Sequence, residues 1–226
     1  MDISHRHPSL TMPLIIAAVV TALVMGAGFL ITADPGWSAA EQSAIGAVQS
    51  AGGIGADVAA SAISALFGPV GAPLVVLIIA TAGYLLTRSW QVVARAVTVL
   101  GVPWVIAEVM KEIVRRPRPG AGIDGSSVVP ATFSFPSGHT AFAAAVGCAV
   151  VLVLVTGRAR AIAIAAAAVI ALATGWSRVY LGVHFPTDVI ASTILIPVLA
   201  VAVDRLFGRI PALVLDRPRS ARRDAR

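Results

Sequence analysis

A short polar motif runs directly into a long apolar segment at residues 177–207, whose sequence is SRVYLGVHFPTDVIASTILIPVLAVAVDRLF. The apolar part, 189–207, is long enough for a membrane-spanning helix, which needs about 20 mostly apolar residues. The polar part carries Arg178, His184 and Asp188. The stretch therefore predicts that ionisable side chains collect at one end of a membrane span.

The composition of the whole chain is that of a membrane protein. Its 226 residues are 58% hydrophobic and 12% charged, with a mean hydropathy of +0.89, whereas a soluble domain has about 25% charged residues. Cys148 is the only cysteine, so a disulfide within the chain is excluded, and we expect a small core residue there. Six segments have the character of spanning helices: 13–32, 70–87, 92–110, 140–156, 161–176 and 189–207. We therefore predict an all-α, integral membrane six-helix bundle.

Two of these segments carry features that bear on packing. The segment 92–110 contains Arg95, which we expect to extend to the interface, and Pro103, whose kink neighbouring helices can cover. The segment 161–176 is rich in alanine, which predicts close approach of a neighbouring helix.

The remaining segments surround one membrane domain, 13–207. Residues 1–12 form an N-terminal tail and residues 208–226 a basic C-terminal tail, both assigned to the cytoplasm. The first apolar run could instead be a cleaved signal peptide, although it is long for one. Residues 33–69 place apolar residues at helical spacing between Gly and Ser, which predicts one or two helices at the membrane interface. A seventh span in that segment is the competing interpretation.

The distribution of cations sets the expected orientation. With both termini in the cytoplasm, 12 of the 17 lysine and arginine residues lie inside, as the positive-inside rule requires. The net charge of +6 therefore follows from membrane topology, and we expect no nucleic-acid partner. The prediction is a multi-pass protein of the cell membrane whose polar motifs face outside the cytoplasm.

Three stretches at the outer span ends carry candidate functional residues. They are 111–119, 136–139 and 177–188. Arginine binds phosphate oxygens with a planar two-pronged donor, and lysine adds a point charge. Backbone N–H groups at a helix start favour an anion, and glycine lets the backbone approach closely. The cations Lys111, Arg118 and Arg178, with the helix start at Ser137 and Gly138, therefore predict a cage for a phosphoryl group.

Two histidines in these stretches supply reactive groups. Imidazole titrates near neutrality, so His139 and His184 can each serve as a nucleophile or a proton donor. Asp188 lies four residues after His184, and a helix that begins near Pro186 would let its carboxylate reach the ring. A carboxylate on Nδ1 would leave Nε2 free to attack phosphorus.

Each of these residues also has an ordinary structural interpretation. Lys111, Arg115 and Arg116 could form a solvated helix end that pairs with Glu108 and Glu112 at helical spacing. For Arg115 and Arg116 the sequence favours that interpretation. Lys111 is the only lysine in the chain, which suggests a role that arginine cannot fill.

Taken together, the three motifs resemble those of the type-2 phosphatidic acid phosphatase superfamily, which includes vanadium haloperoxidases and bacterial acid phosphatases. The resemblance spans about residues 95–207. The family pattern is Lys-x6-Arg-Pro, then Pro-Ser-Gly-His, then Ser-Arg-x5-His-x3-Asp. It is matched from Lys111 to Pro119, from Pro136 to His139 and from Ser177 to Asp188, with no departure at a signature position.

The resemblance implies a role for each matched position. His184 would attack phosphorus and form a phosphohistidine, Asp188 would orient it, and His139 would protonate the leaving oxygen. The phosphoryl oxygens would be held by Lys111, Arg118, Ser137, Gly138 and Arg178. The resemblance implies no metal and no other cofactor.

We therefore expect a metal-independent phosphatase that acts on a membrane lipid phosphate or diphosphate. Candidate substrates are a polyprenyl diphosphate such as undecaprenyl diphosphate, phosphatidic acid, and phosphatidylglycerol phosphate. Transfer of the phosphoryl group to a sugar or lipid hydroxyl is an alternative, and an anion transporter is a more distant one. Substrate selectivity is expected to reside in residues 33–69 and in the loop 120–135. The motifs leave the oligomeric state open.

Overall fold

The computed structural model describes residues 10–120 and 132–209, and within these ranges every regular element is helical. The elements are α1 (Thr11–Ala33), α2 (Pro35–Ser50), α3 (Ile54–Phe67), α4 (Ala72–Thr87), α5 (Trp90–Val114), α6 (Gly138–Ala149), which continues into a π-helical turn (Val150–Leu154), α7 (Ala159–Tyr180) and α8 (Pro186–Phe207). The predicted all-α class is confirmed. The predictions for both tails and for most of the loop 120–135 lie outside the described residues.

Each of the six predicted spans coincides with a helix. Among the described residues α1, α5, α7 and α8 are long and apolar enough to cross a membrane, which makes the chain a multi-pass membrane protein. The apolar helix α4 has 16 residues, and α6 with its π-helical turn covers Gly138–Leu154. Both fall short of the length of about 20 residues typical of a span, so a bundle of six crossings stays a prediction.

The segment 33–69 forms two helices. Asp34 caps α2 by accepting hydrogen bonds from the N–H groups of Gly36 and Trp37, at 2.8 and 3.2 Å. The axes of α2 and α3 differ by 118° across a short break. The segment is therefore not one straight seventh span, and its position at the membrane surface stays a prediction.

The core lies around α6, which packs against α5, α7 and α8. Small residues allow this close packing, as in many membrane bundles. A side chain at Gly147 would lie only 2.6 Å from Cβ of Ala167, so α6 and α7 approach closely at this pair. Most other alanines of α7 are exposed, and the buried alanines are concentrated in α6. The alanine-rich helix thus packs closely at a few positions only.

The two ends of the bundle differ in their polar contacts. At one end Arg95 forms a two-pronged ion pair with Asp204, with N–O distances of 2.7 and 3.0 Å. Arg95 is half-buried in this pair, and its extension to the membrane interface stays a prediction. The opposite end gathers the C-terminal ends of α5 and α7, the N-terminal ends of α6 and α8, and the α2–α3 pair. All three sequence motifs lie at that opposite end.

Candidate active site

The His184–Asp188 pair forms as its spacing predicts. Helix α8 begins at Pro186, so Asp188 lies in its first turn. Asp188 Oδ2 accepts the N–H of Phe185 at 2.9 Å and lies 3.3 Å from Nδ1 of His184. The aspartate thus caps its own helix and orients the imidazole at the same time.

The second ring nitrogen of His184, Nε2, lies next to an arginine. Nη1 of Arg118 lies 3.0 Å from Nε2 of His184 and also donates to the carbonyl of Val183 at 2.7 Å. Two further hydrogen bonds tie Arg118 to Thr132. With a carboxylate on Nδ1 and a guanidinium N–H on Nε2, the favoured form of His184 is neutral with its proton on Nδ1.

Electrostatics keep His184 neutral. The side chain is 1% exposed, and burial, the largest influence, lowers its pKa to about 4. The Asp188 carboxylate opposes this shift, whereas Arg118 and Arg178 reinforce it. Burial also lowers the pKa of Arg118, against the charges of Asp188 and Glu108. The ring therefore carries a lone pair on Nε2 across the physiological pH range.

Arg178 sits at the C-terminal end of α7 and is 4% exposed. Its Nη1 donates to the hydroxyl of Ser64 in α3, while its Nε is buried and has no hydrogen-bond partner among the residues that the structure describes. A buried guanidinium donor without a partner is costly, so its retention suits a group that receives an anion.

The start of α6 lies against Lys111. Ser137 is the N-cap residue and Gly138 the first helical residue, as predicted. A side chain at position 138 would lie 2.2 Å from Oε1 of Glu108 and 2.9 Å from Nζ of Lys111. Glycine is therefore required here for the lysine to approach the helix start. Lys111 is 5% exposed and pairs with Glu108 at 2.8 and 3.0 Å, so it is not part of a solvated helix end.

Ser137 contributes less to an anion cage than its position suggested. Its N–H donates to the carbonyl of Asp188 at 3.0 Å, and its carbonyl accepts from the hydroxyl of Ser192 at 2.9 Å. Its hydroxyl is paired with that of Thr140 at 3.0 Å. The two backbone bonds fasten α6 to α8, so the hydroxyl is the group of Ser137 that could donate to a phosphate.

His139 faces the same space from the second position of α6. It lies within electrostatic reach of His184 and of the three cations Lys111, Arg118 and Arg178. The residues that the three motifs supply thus come together around one point. Within the described part of the chain, no three His, Cys, Asp or Glu side chains cluster in the manner of metal ligands.

Comparison with known proteins identifies the family of the chain. The family model described as the PAP2 superfamily matches residues 91–210, more than half of the chain. The chain belongs to the PAP2 superfamily. The resemblance drawn from the three motifs is therefore confirmed at the level of the family.

A curated sequence and a solved structure, both from Bacillus subtilis, are similar to this chain. Phosphatidylglycerophosphatase B is 35% identical over 124 residues, which cover 52% of this chain and 58% of the relative. The chain thus matches less than two thirds of that protein's length. The crystal structure of a transmembrane PAP2-type phosphatidylglycerolphosphate phosphatase superposes with a TM-score of 0.69 at 24% identity, covering 90% of this chain and 98% of that one. This likeness shows the shared fold.

One arginine next to the candidate site was assigned wrongly from the sequence. Arg116 was expected at a solvated helix end, but it is 1% exposed and is among the largest fully buried side chains. Its Nη1 pairs with Oδ1 of Asp188 at 2.8 Å. Its guanidinium also lies 4.0 Å from the ring centroid of Phe185. Arg115 is exposed, as expected, because α5 ends there in a left-handed conformation with φ of 54°.

The α2–α3 pair supplies further residues that the motifs do not contain. Glu41 is 8% exposed and pairs with Arg116 at 2.7 Å. Ser64 receives the hydrogen bond from Arg178, and the backbone of Gly68 lies against the ring of His139. The sequence offers one signal that Glu41 belongs near the site, which is an acidic residue within a weakly polar, helix-forming segment. Nothing in the sequence indicates that its partner is Arg116.

Proposed function

We propose that this protein is a phosphatase that hydrolyses a membrane lipid phosphate through attack of His184 on phosphorus. The observation that carries the proposal is the two-sided environment of the ring. Nδ1 faces Asp188 at 3.3 Å, and Nε2 faces Nη1 of Arg118 at 3.0 Å. A phosphoryl group placed at Nε2 would accept the Arg118 N–H and meet the lone pair of the nucleophile together.

The chemistry follows from that placement. The Nε2 lone pair of His184 forms a bond to phosphorus as the bond from phosphorus to the lipid oxygen breaks, and His139 donates a proton to that oxygen. Asp188 stabilises the positive charge that develops on the imidazole. Water then attacks phosphorus, His139 removes its proton, and the phosphorus–nitrogen bond breaks to release inorganic phosphate.

The cage residues act on the charge of the phosphoryl group. Arg118, Arg178 and Lys111 offer fixed positive charge, and Ser137 and Gly138 offer a hydroxyl and a first-turn N–H at the start of α6. For Lys111 this requires release from Glu108, and an incoming dianion is a strong competitor for the ammonium group. Fixed cations of this kind neutralise charge in the way that metal ions do in other phosphoryl-transfer enzymes.

A lipid substrate is supported by the place of the site and by an apolar cavity. The site lies where four helices of a membrane protein end, so a bound headgroup could leave its hydrocarbon chain in the bilayer. A cavity of about 380 Å³, lined almost wholly by apolar atoms of α6, α7 and α8, includes Cys148, Ala168, Thr193 and Pro197. Thr193 and Pro197 follow Asp188 by five and nine residues, or about 8 to 14 Å along α8. We propose that this cavity receives the chain of the substrate.

The name of the curated relative sets the order in which substrates should be tried. Phosphatidylglycerol phosphate comes first, followed by phosphatidic acid and a polyprenyl diphosphate such as undecaprenyl diphosphate. The arginine distribution supports a site that faces outside the cytoplasm.

The decisive experiment measures phosphate release from these lipids by the purified protein in detergent. His184→Ala should abolish release, and His7→Ala, outside the three motifs, should not. Acid-labile radiolabel on the protein during turnover would reveal the phosphohistidine, and vanadate should inhibit whereas EDTA should not. Full activity in His184→Ala would overturn the mechanism, and label passing to an added alcohol instead of water would identify a phosphotransferase.

A further inference from the structure

Three buried charged side chains, Glu41, Arg116 and Asp188, are linked in series to the proposed nucleophile His184. Arg116 lies between two carboxylates, with Nη1 2.8 Å from Oδ1 of Asp188 and Nη2 2.7 Å from Oε2 of Glu41. The side chains of Arg116, Asp188 and Glu41 are 1%, 0% and 10% exposed. Because isolated buried ions are costly, each member requires its neighbours. The formal charge of the trio is −1, and its far end is Oδ2 of Asp188 beside His184.

Glu41 also contacts the helix that carries Asp188. Its Oε1 accepts the backbone N–H of Thr187 at 2.7 Å, and its Oε2 accepts the Thr187 hydroxyl at 2.9 Å. Thr187 belongs to the first turn of α8, where backbone N–H groups have no partner within the helix and attract negative charge. Glu41 of α2 therefore caps α8 from a separate part of the chain, one residue before Asp188.

We propose that Glu41 is a positioning residue for the reaction, acting on His184 through Arg116 and Asp188. This inference rests on the proposed phosphatase function. Glu41 holds Arg116 and the first turn of α8 in place, which aims the Asp188 carboxylate at Nδ1. Its charge offsets that of Arg116, so that Asp188 is not fully neutralised by a single arginine. Attack on phosphorus leaves a positive imidazole, and a trio with a net charge of −1 stabilises it better than a neutral pair would.

Through Glu41 the segment 33–69 takes part in positioning the reactive groups. Within the described ranges Glu41 bonds to Arg116 and Thr187 and not to Lys111, Arg118 or Arg178, so it should affect the chemical step rather than the binding of the phosphate. Glu41→Gln should therefore lower kcat while KM changes little. We expect a loss of about 10- to 100-fold, by analogy with the removal of groups that orient metal-ligating histidines.

The test compares Glu41→Gln and Glu41→Asp with Glu112→Gln, an exposed glutamate on α5 that serves as the matched control. Activity is measured on the lipid phosphate that the wild-type protein hydrolyses fastest, per amount of monodisperse protein. Glu41→Asp keeps the charge but shortens the side chain, so its kcat should lie between those of Glu41→Gln and wild type, while Glu112→Gln should match wild type. Because Glu41 acts through Arg116, the two substitutions should not be independent. The double variant Glu41→Gln with Arg116→Gln should lose less kcat than the product of the losses in the two single variants.

Several results would overturn the inference. One is a wild-type kcat in Glu41→Gln, and another is a Glu41→Gln variant in which only KM changes. A third is a double variant with Arg116→Gln whose loss of kcat equals the product of the two single losses. If Glu41→Gln is not recovered folded, Glu41→Asp alone decides, because an unchanged kcat there excludes a positioning role that depends on contact with both Arg116 and Thr187. Phosphate release by wild type and its loss in His184→Ala test the proposed function independently of Glu41. A wild-type protein that releases no phosphate removes both proposals.

Discussion

Asp188 contacts His184 through Oδ2 and Nδ1 at 3.3 Å, from the first turn of the helix that follows the histidine. The contact is local in sequence, and its consequence is chemical. It directs the ring so that Nε2 points to Nη1 of Arg118.

Asp188→Asn should lower kcat by about 10³- to 10⁴-fold, because an amide no longer stabilises the positive imidazole and can favour the wrong tautomer. Phosphate release under saturating substrate is the measurement. Asp204→Asn is the matched control, since Asp204 lies on the same helix and pairs with Arg95 at the other end of the bundle. Similar losses in both variants would contradict a specific role for Asp188.

Arg116→Met should destabilise the protein by about 3 to 5 kcal/mol, because it leaves the carboxylates of Glu41 and Asp188 buried without their cation. Thermal unfolding in detergent should show a clear fall in Tm. The variant should also lose phosphate release at a lower temperature than the wild-type protein does. Arg115→Met, at the exposed neighbour, should change stability by no more than about 0.5 kcal/mol. Equal changes in stability at the two positions would show that Arg116 is not the buried ion-pair partner of Glu41 and Asp188.

The acid limb of kcat/KM should report a group with a pKa of about 4, the value to which burial lowers His184. Below this pH the ring binds a proton and loses the lone pair, so activity falls as pH decreases. The ionisation of the substrate phosphate near pH 6 must be titrated separately and removed from the profile. An enzymatic pKa near 6.5 would mean that His184 is not buried as described.

The same burial predicts a loss of stability in acid. The unfolded chain binds a proton on His184 near pH 6.5, whereas the folded protein resists until about pH 4. Between these values the unfolded state binds more protons, so the folded state loses stability as pH falls through this window. Tm measured from pH 7 to pH 4 should decrease less in His184→Ala than in wild type.

Gly68→Ala should reduce kcat on the order of 10²-fold by displacing His139. The added methyl group would lie 2.7 Å from the carbonyl oxygen of Ser64 and 2.8 Å from Nε2 of His139. Gly55→Ala, where no atom lies within 4 Å of the added group, is the control and should be neutral. Normal activity in Gly68→Ala would show that the α3–α4 connection does not constrain the histidine.

Ala168→Phe should raise KM for a long-chain lipid phosphate by about tenfold, the effect of excluding roughly two methylene groups from an apolar site. A short-chain form of the same lipid should be affected less than twofold, since its chain does not reach the cavity. Ala166→Phe, on the same helix but outside the cavity lining, is the control. Equal changes for both chain lengths would argue against the cavity as the site of the hydrocarbon chain.

The sequence by itself determined the helical class, the positions of the helices and the three motifs. Each depends on neighbours along the chain. Apolar runs of sufficient length form helices in a membrane because the backbone must satisfy its own hydrogen bonds there. The His184–Asp188 contact follows from one helical turn that begins at Pro186. Such features can be predicted from spacing alone.

Only the tertiary structure decided which charges enter the site. Arg115 and Arg116 are identical side chains at adjacent positions, yet one is exposed and the other is buried. The difference arises because α5 ends at Arg115 and the chain turns, which directs Arg116 inward to Asp188. Its second partner, Glu41, is 75 residues away. A buried ion pair needs an opposite charge in space rather than in sequence, and no local pattern identifies that partner.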